Sequence, residues 1–230
     1  MNGLSVGAGR CAAIWGVLVL VISVDSLLAQ SFVAPPWSMG DPLTTYQQWD
    51  FFTRISTAPD VGMFNSNGGP SLTQSGGFVT GGGNIYSFSG DYSATVIVPN
   101  YGLGTGYKTT VIFQIEKSLG PNEPNITAPT INGEVASSTE TLFEGVIDGF
   151  IGPATLGVYK RTYVFNGNAP SYTIQIPASI HSSLQAVRVD TQTVAIPEAS
   201  TGLLVGGCII VAACVRTASW VSSRRNLARS

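Results

Sequence analysis

The chain has 230 residues, of which 44% are apolar and 10% are charged, and its formal net charge is −2 at pH 7. This composition is typical of a globular protein and excludes an intrinsically disordered one. Residues 30–196 contain six basic and eleven acidic side chains, and an acidic surface repels phosphate groups, so we expect no binding to nucleic acid.

An uncharged apolar run lies near the N-terminus, directly after Arg10. The run covers residues 11–24, and the small residue Ala29 follows shortly after it. This order is typical of a secretory signal peptide. The run is shorter than the about 20 apolar residues that a membrane-spanning helix needs. We therefore predict a signal peptide over residues 1–29, followed by an exported domain over residues 30–195.

Residues 30–195 have the sequence pattern of an all-β domain. β-Branched and aromatic residues alternate with polar ones, and turn residues rich in Gly, Pro and Asn separate the runs. The pattern predicts strands over residues 78–79, 84–89, 92–98, 107–116, 141–147, 157–165, 171–176 and 187–194. About eight strands at this spacing predict an antiparallel β-sandwich, either jelly-roll or immunoglobulin-like, and we favour the jelly roll.

The clearest strand is predicted over residues 171–176. Tyr172, Ile174 and Ile176 would share one face, because side chains alternate along a strand, and Pro177 would end it. Residues 162–165 and 171–176 flank a loop that contains Gly167, a residue that adopts positive φ at little cost. We predict that the two segments form a hairpin.

Aromatic residues in residues 46–52 and at Tyr101 have two interpretations. Tyr46, Trp49 and Tyr101, beside amide and acidic side chains, could stack on the rings of a bound sugar if they are exposed. Alternatively they fill the core, which we favour for the 46–52 cluster because large aromatic side chains dominate buried area. A carbohydrate-binding role would require at least one of the three to be exposed.

The acidic residues do not predict a catalytic pair. A glycosidase needs two carboxyl groups about 5–10 Å apart, whereas Glu144 and Asp148 would lie about 13 Å apart on one strand, and Glu140 is equally isolated. Asp91, Asp148 and Asp190 lie in or beside predicted turns and could supply oxygen ligands to calcium. We favour the alternative that they are solvated turn residues.

Nucleophilic catalysis also lacks the residues that it needs. His181 is the only histidine, in a predicted exposed loop, and no nucleophile-elbow motif is present. Cys11, Cys208 and Cys214 all lie outside the predicted exported domain, which therefore has no disulfide, thiol nucleophile or thiolate metal site. We predict a protein that is not an enzyme and needs no cofactor.

The last 35 residues have three parts in a fixed order. Pro197 and Glu198 come first, then an uncharged apolar run over residues 202–215, then arginines that include Arg216, Arg224 and Arg225. If Arg216 snorkels to the membrane surface, the span extends over residues 202–221, about 30 Å of helix. With the domain outside, the arginines would stay in the cytoplasm, as the positive-inside rule expects.

This tail resembles the PEP-CTERM sorting signal of exported bacterial proteins, with Ala199 in place of the second proline of the motif. Residues 45–52 (TYQQWDFF), 78–86 (FVTGGGNIY) and 184–190 (LQAVRVD) resemble planctomycete-type exported proteins that carry this signal. The resemblance implies that an exosortase-like membrane enzyme recognises Pro197 and Glu198. It also implies that Arg216, Arg224 and Arg225 retain the chain in the membrane until it is processed.

Three hypotheses follow for function. We favour a non-enzymatic exported protein that an exosortase-like enzyme sorts to the cell envelope, cell surface or extracellular matrix. The first alternative is a surface-attached module that binds extracellular polysaccharide, and the second is an extracellular hydrolase. An ordinary single-pass anchor is the alternative interpretation of the tail.

Overall fold

The computed structural model describes residues 32–120, 128–149 and 152–197. These residues form an all-β protein, and they contain no helix long and apolar enough to cross a bilayer. The predicted signal peptide over residues 1–29 lies outside the described residues. So do Glu198, the predicted span over residues 202–221 and the predicted retention arginines Arg216, Arg224 and Arg225.

Thirteen strands follow one another in the described residues. The first seven are β1 (Thr44–Trp49), β2 (Ser56–Thr57), β3 (Gly62–Phe64), β4 (Ser71–Ser75), β5 (Phe78–Val79), β6 (Ile85–Tyr86) and β7 (Tyr92–Pro99). The remaining six are β8 (Gly104–Leu119), β9 (Thr130–Ile131), β10 (Ser138–Gly149), β11 (Gly152–Asn168), β12 (Ser171–Ala178) and β13 (Ser183–Ala195).

The strands form two antiparallel sheets. The first sheet has the order β10-β11-β8-β13-β1-β3, and β6 extends it by pairing with both β13 and β5. The second sheet has the order β2-β4-β7-β12-β9. The prediction of an all-β fold with antiparallel strands is confirmed.

One hydrophobic core is shared by the inner faces of both sheets, a sandwich-like arrangement. The first sheet contributes Trp49, Phe113 and Val189, and the second contributes Val96 and Ile174, all fully buried. The alternation predicted for residues 171–176 is confirmed on β12, where the three apolar side chains are buried and Gln175 is exposed. The strand continues through Pro177 to Ala178 instead of ending at the proline.

The predicted hairpin between residues 162–165 and 171–176 is wrong. Residues 162–165 belong to β11, which pairs with β10 and β8 in the first sheet, whereas β12 pairs with β7 and β9 in the second. The connection at residues 169–170 therefore crosses between the sheets. Pairing with strands distant in sequence outweighed the local turn signal.

Sequence patterning also failed to predict strand β1, although it lies inside the first sheet between β13 and β3. Its residues, TTYQQW, lack an apolar alternation, yet five of the six are buried. Gln47 is buried because its side-chain amide donates a hydrogen bond of 2.7 Å to the Val189 carbonyl. Polar side chains can occupy a sheet interior when such partners satisfy them.

Candidate functional site

The final strand, β13, ends at the protein surface directly before the predicted sorting motif. Strand β13 pairs with β8 up to Ala195, and the Ile196 amide donates a hydrogen bond of 2.9 Å to the Gly106 carbonyl. Ile196 and Pro197 are both exposed. The first residue of the motif therefore follows the end of β13 in an accessible position.

The segment immediately before strand β1 covers the outer face of the first sheet. We call residues 32–39 the strap. The Val33 amide donates a hydrogen bond of 2.9 Å to Gln114 Oε1, and Gln114 Nε2 donates one of 2.8 Å to the Val33 carbonyl. Gln114 is fully buried and alternates along β8 with core residues Phe113 and Ile115, so it faces away from the core. The side-chain amide of Gln114 thus holds the strap backbone against the outer face of the sheet.

A cleft of about 470 Å³ lies beside the strap, and we call it the strap cleft. Its walls include Trp37 from the strap and Tyr46 from β1, and its floor includes Arg188 and Asp190 from β13. The strand register places Tyr46 directly opposite Asp190. Arg188 and Asp190 share a face because they are two residues apart on one strand.

Arg188 is the central cation of the strap cleft. Its Nε and Nη2 atoms donate hydrogen bonds of 2.8 Å and 3.1 Å to the two carboxylate oxygens of Asp190. The guanidinium also lies over the Tyr46 ring, 4.8 Å from its centre, a cation–π contact. Two partners therefore fix the orientation of the guanidinium, as a preformed binding site requires.

Burial is the main electrostatic influence on the strap cleft. The Asp190 side chain is only 2% exposed. Burial raises the pKa of Asp190, and its hydrogen bonds and charge interaction with Arg188 act in the opposite direction. Burial likewise raises the pKa of the Tyr46 hydroxyl, which donates a hydrogen bond of 3.0 Å to Gln48 Oε1.

The strap cleft is better suited to binding than to acid–base catalysis. Asp190 is the only acidic residue among the described residues that line it, and its carboxylate is already engaged by Arg188. Glycoside hydrolysis requires a second carboxyl group across the scissile bond. Aromatic walls and a fixed hydrogen-bond donor instead favour recognition of a flat, polar ligand.

The three aromatic residues predicted to bind ligand have different environments. Tyr46 lines the strap cleft and is half-buried. Trp49 is fully buried in the core, and its indole N–H donates a hydrogen bond of 3.3 Å to the Thr57 carbonyl, so its ring cannot stack on a ligand at the surface. Tyr101 is half-buried and donates a hydrogen bond of 2.9 Å to the Thr44 carbonyl, but it is not part of the cleft lining.

The structure separates the predicted calcium ligands. Asp91 accepts a hydrogen bond of 3.1 Å from the Ile180 amide, Asp148 is exposed on β10, and Asp190 is paired with Arg188. No group of three or more His, Cys, Asp or Glu side chains is positioned to hold a metal ion within the part of the chain that the structure describes.

The remaining predicted acid–base residues also lie apart. Glu140 and Glu144 are exposed on β10, and Glu140 forms an ion pair of 2.9 Å with Lys160. His181 Nδ1 lies 3.2 Å from the Tyr86 hydroxyl oxygen. None of these side chains reaches the strap cleft.

Sequence reasoning identified Tyr46 but missed the strap and the Arg188–Asp190 pair. The pair had a usable signal, because opposite charges two residues apart on a strand point to the same face. The strap had none, since its position depends on hydrogen bonds to Gln114, 81 residues away.

Comparison with known proteins finds no matching family model, no matching curated protein and no matching solved structure. Function must therefore be inferred from the chain's own residues and geometry.

Proposed function

We propose that this chain is a non-enzymatic exported protein that a C-terminal sorting tail delivers to the cell envelope, the cell surface or the extracellular matrix. The observation that carries this proposal is the order of parts in the tail: Pro197 and Glu198, the uncharged run over residues 202–215, and the arginines from Arg216 onward. An apolar run followed by cationic residues is typical of a membrane anchor with a cytoplasmic end.

Two structural features support this proposal. Strand β13 ends at Ala195 and Pro197 is exposed, so a membrane enzyme could reach the motif without unfolding the sheet. Among the described residues, buried side-chain nitrogen and oxygen atoms have hydrogen-bond partners with two exceptions, Arg161 Nε and Ser179 Oγ, as expected of a domain that folds on its own core without disulfides.

We also propose a jelly-roll-like topology for the two sheets. Strands β6, β7 and β8 alternate between the first and the second sheet, and strands β11, β12 and β13 do so again. Such alternation of consecutive strands is typical of double-sheet Greek-key folds. The signal peptide over residues 1–29 and the single membrane helix over residues 202–221 complete the proposed organisation.

The test is the intact mass of the protein recovered from the surface of its native host. We expect the wild type to lack residues 1–29 and the segment after about residue 197, and the Glu198→Ala variant to keep its tail. Glu134→Ala, which removes an exposed glutamate elsewhere, is the matched control and should be processed as the wild type is. A wild-type protein that keeps residues 202–230 would show that the tail is only an anchor.

A second candidate function is a surface-attached module that binds carbohydrate. The observation that favours it is the position of Tyr46 in the strap cleft beside Arg188 and Asp190. We expect Tyr46→Ala to reduce retention of the protein on the host's extracellular polysaccharide at least fivefold. Tyr107→Ala, at another half-buried tyrosine, should leave retention unchanged. Equal retention of both variants would count against this function.

We do not propose an extracellular hydrolase. The strap cleft provides one carboxylate, which Arg188 already binds, and Glu140, Glu144 and Asp148 lie along one exposed strand.

A further inference from the structure

A second cleft, of about 590 Å³, lies at the far end of strand β13 from the tail, and we call it the aromatic cleft. One wall is formed by the short strands β5 and β6 and the residues that follow them. The opposite side is formed by the last residues of β10 and the first residues of β11. The first residues of β13 lie between the two sides. None of its lining residues is shared with the strap cleft.

Three aromatic rings form the apolar wall of the aromatic cleft. The Phe78 and Phe88 rings are stacked with their centres 5.5 Å apart and their planes 18° apart. The Tyr86 ring packs edge-on against Phe88 at 4.6 Å and against Phe78 at 6.2 Å. Phe78 is 42% exposed and Phe88 is 52% exposed. Single exposed aromatic residues are common, but a packed exposed group in a cleft marks a binding surface.

Polar side chains line the rest of the aromatic cleft, and several are held in place by hydrogen bonds. Gln185 Nε2 contacts Ser183 Oγ at 3.2 Å and Ser118 Oγ at 3.5 Å. Asn84 forms hydrogen bonds with Ser183 and with Thr80. These bonds fix the polar groups before a ligand arrives, which reduces the entropy cost of binding.

The charge of the aromatic cleft restricts its ligand. Asp148 supplies a carboxylate, and no Lys, Arg or His is present among the described lining residues. An anionic ligand would be repelled by Asp148 without a compensating cation. An entirely apolar ligand would remove water from Asp148, Gln185 and Asn84 without replacing their hydrogen bonds, which is costly.

We infer that the aromatic cleft binds a neutral saccharide. A pyranose ring has an apolar face of C–H groups that packs on the phenyl rings of Phe78 and Phe88. Its hydroxyl groups donate to the Asp148 carboxylate and exchange hydrogen bonds with the amide of Gln185. This binding goes beyond the proposed sorting. Sorting depends on the C-terminal tail, which is far in sequence from residues 78–88, and it requires no ligand.

Titration calorimetry on the full-length chain tests this binding, in a detergent without a sugar headgroup. The probes are cellohexaose and mannohexaose as neutral saccharides and hexagalacturonate as an acidic one. We expect at least one neutral probe to bind and the acidic probe to bind at least tenfold more weakly. Failure of both neutral probes to bind at millimolar concentration overturns the assignment, as does preferential binding of the acidic probe.

Variants locate the bound saccharide. Phe78→Ala combined with Phe88→Ala should weaken binding of the neutral probe at least tenfold, and Phe88→Leu, which keeps apolar volume but removes the flat ring, about threefold to fivefold. The matched control is Phe143→Ala, which removes an exposed ring on β10 outside the cleft. Measurement of the melting temperature verifies that each variant folds. If the double variant does not fold, Phe88→Leu alone serves as the test.

Variants distinguish a saccharide bound in the aromatic cleft from one bound in the strap cleft. Tyr107→Ala, at a half-buried tyrosine that lines neither cleft, should leave binding of the neutral probe unchanged. If Tyr46→Ala abolishes binding while the phenylalanine variants retain it, the saccharide occupies the strap cleft and the aromatic cleft is not the site. Loss of processing in Glu198→Ala bears only on sorting.

Discussion

The interior between the two sheets is apolar at its centre and polar at one end. At the centre, Trp49, Phe113 and Ile174 are fully buried and pack in one cluster. At the polar end, Asn168 Nδ2 lies within 3.1 Å of side-chain oxygens of Asn100, Thr109 and Thr193. The centre is held by non-directional burial, whereas the polar end depends on the position of each donor and acceptor.

Residues 30–195 contain no cysteine, so burial alone orders the apolar centre and hydrogen bonds order the polar end. The polar network continues from Asn100 Nδ2 to Thr191 Oγ1 at 3.1 Å and from there to Thr45 Oγ1 at 2.8 Å. It therefore joins the loop after β7, at Asn100, to four strands of the first sheet, which are β11, β8, β13 and β1. A buried network of this kind tolerates little change, since each removed member leaves an unsatisfied partner.

The largest expected effect is at the apolar centre. Trp49→Ala should lower the free energy of unfolding by about 3–5 kcal/mol, because it leaves a large cavity in a fully buried site. Urea unfolding followed by far-ultraviolet circular dichroism measures the loss. Trp37→Ala removes a half-buried strap tryptophan and should cost far less; equal losses would contradict the assignment of Trp49 to the core.

The second largest effect is at the polar end. Asn168→Ala should lower the free energy of unfolding by about 2–3 kcal/mol, because Asn100, Thr109 and Thr193 lose a buried partner. Asn166→Ala, two residues earlier and exposed, is the control and should change stability by less than about 0.5 kcal/mol. Similar unfolding curves for the two variants would show that the network contributes nothing measurable.

A third change affects a cation at the margin of the interior. Lys117 is buried and lies over the Tyr159 ring, and burial, followed by the charge of Arg161, lowers the pKa of Lys117 to about 8. At pH 7 the folded protein therefore holds a buried charge that the unfolded chain leaves in water. Lys117→Met should raise the free energy of unfolding by about 1–2 kcal/mol at pH 7, with the cation–π contact offsetting part of the gain.

Measuring the free energy of unfolding at several pH values tests the sign of this effect. A lowered folded pKa gives stability that is present above the unfolded pKa of about 10.4 and is lost as pH falls through about 8. The difference in free energy of unfolding between Lys117→Met and the wild type should therefore become smaller as pH rises from 7 to 10. Lys108→Met, which makes the same change at an exposed position, is the matched control. If the stability gain of Lys117→Met does not vary with pH, the gain comes from packing instead of from removal of the charge.

An effect of the same size as that at Lys117, but of opposite sign, is expected at the strap, outside the interior. Gln114→Ala removes both hydrogen bonds to the Val33 backbone and should cost about 1–2 kcal/mol. Hydrogen exchange at the Val33 amide should become faster, while exchange in β12 of the other sheet should stay unchanged. Continued protection of Val33 would show that other contacts are sufficient to hold the strap.

Several features could be predicted from sequence because they depend on neighbouring residues. The alternation over residues 171–176 matched β12, and the apolar run at residues 92–98 matched β7 apart from one residue. Strand β1 and the two clefts could not be predicted. Burial of Gln47 depends on Val189, and the strap depends on Gln114, partners far away in the chain.

Local alternation, turn residues and composition were sufficient to predict the all-β class, the antiparallel pairing and the absence of cysteine from residues 30–195. Contacts in the folded chain place β11 and β12 in different sheets, bury Trp49 in the core while Tyr46 lines a cleft, and pack Phe78 against Phe88. Periodicity in the sequence shows which residues share a face of a strand. Which face is covered, and by what, depends on contacts between residues distant in sequence.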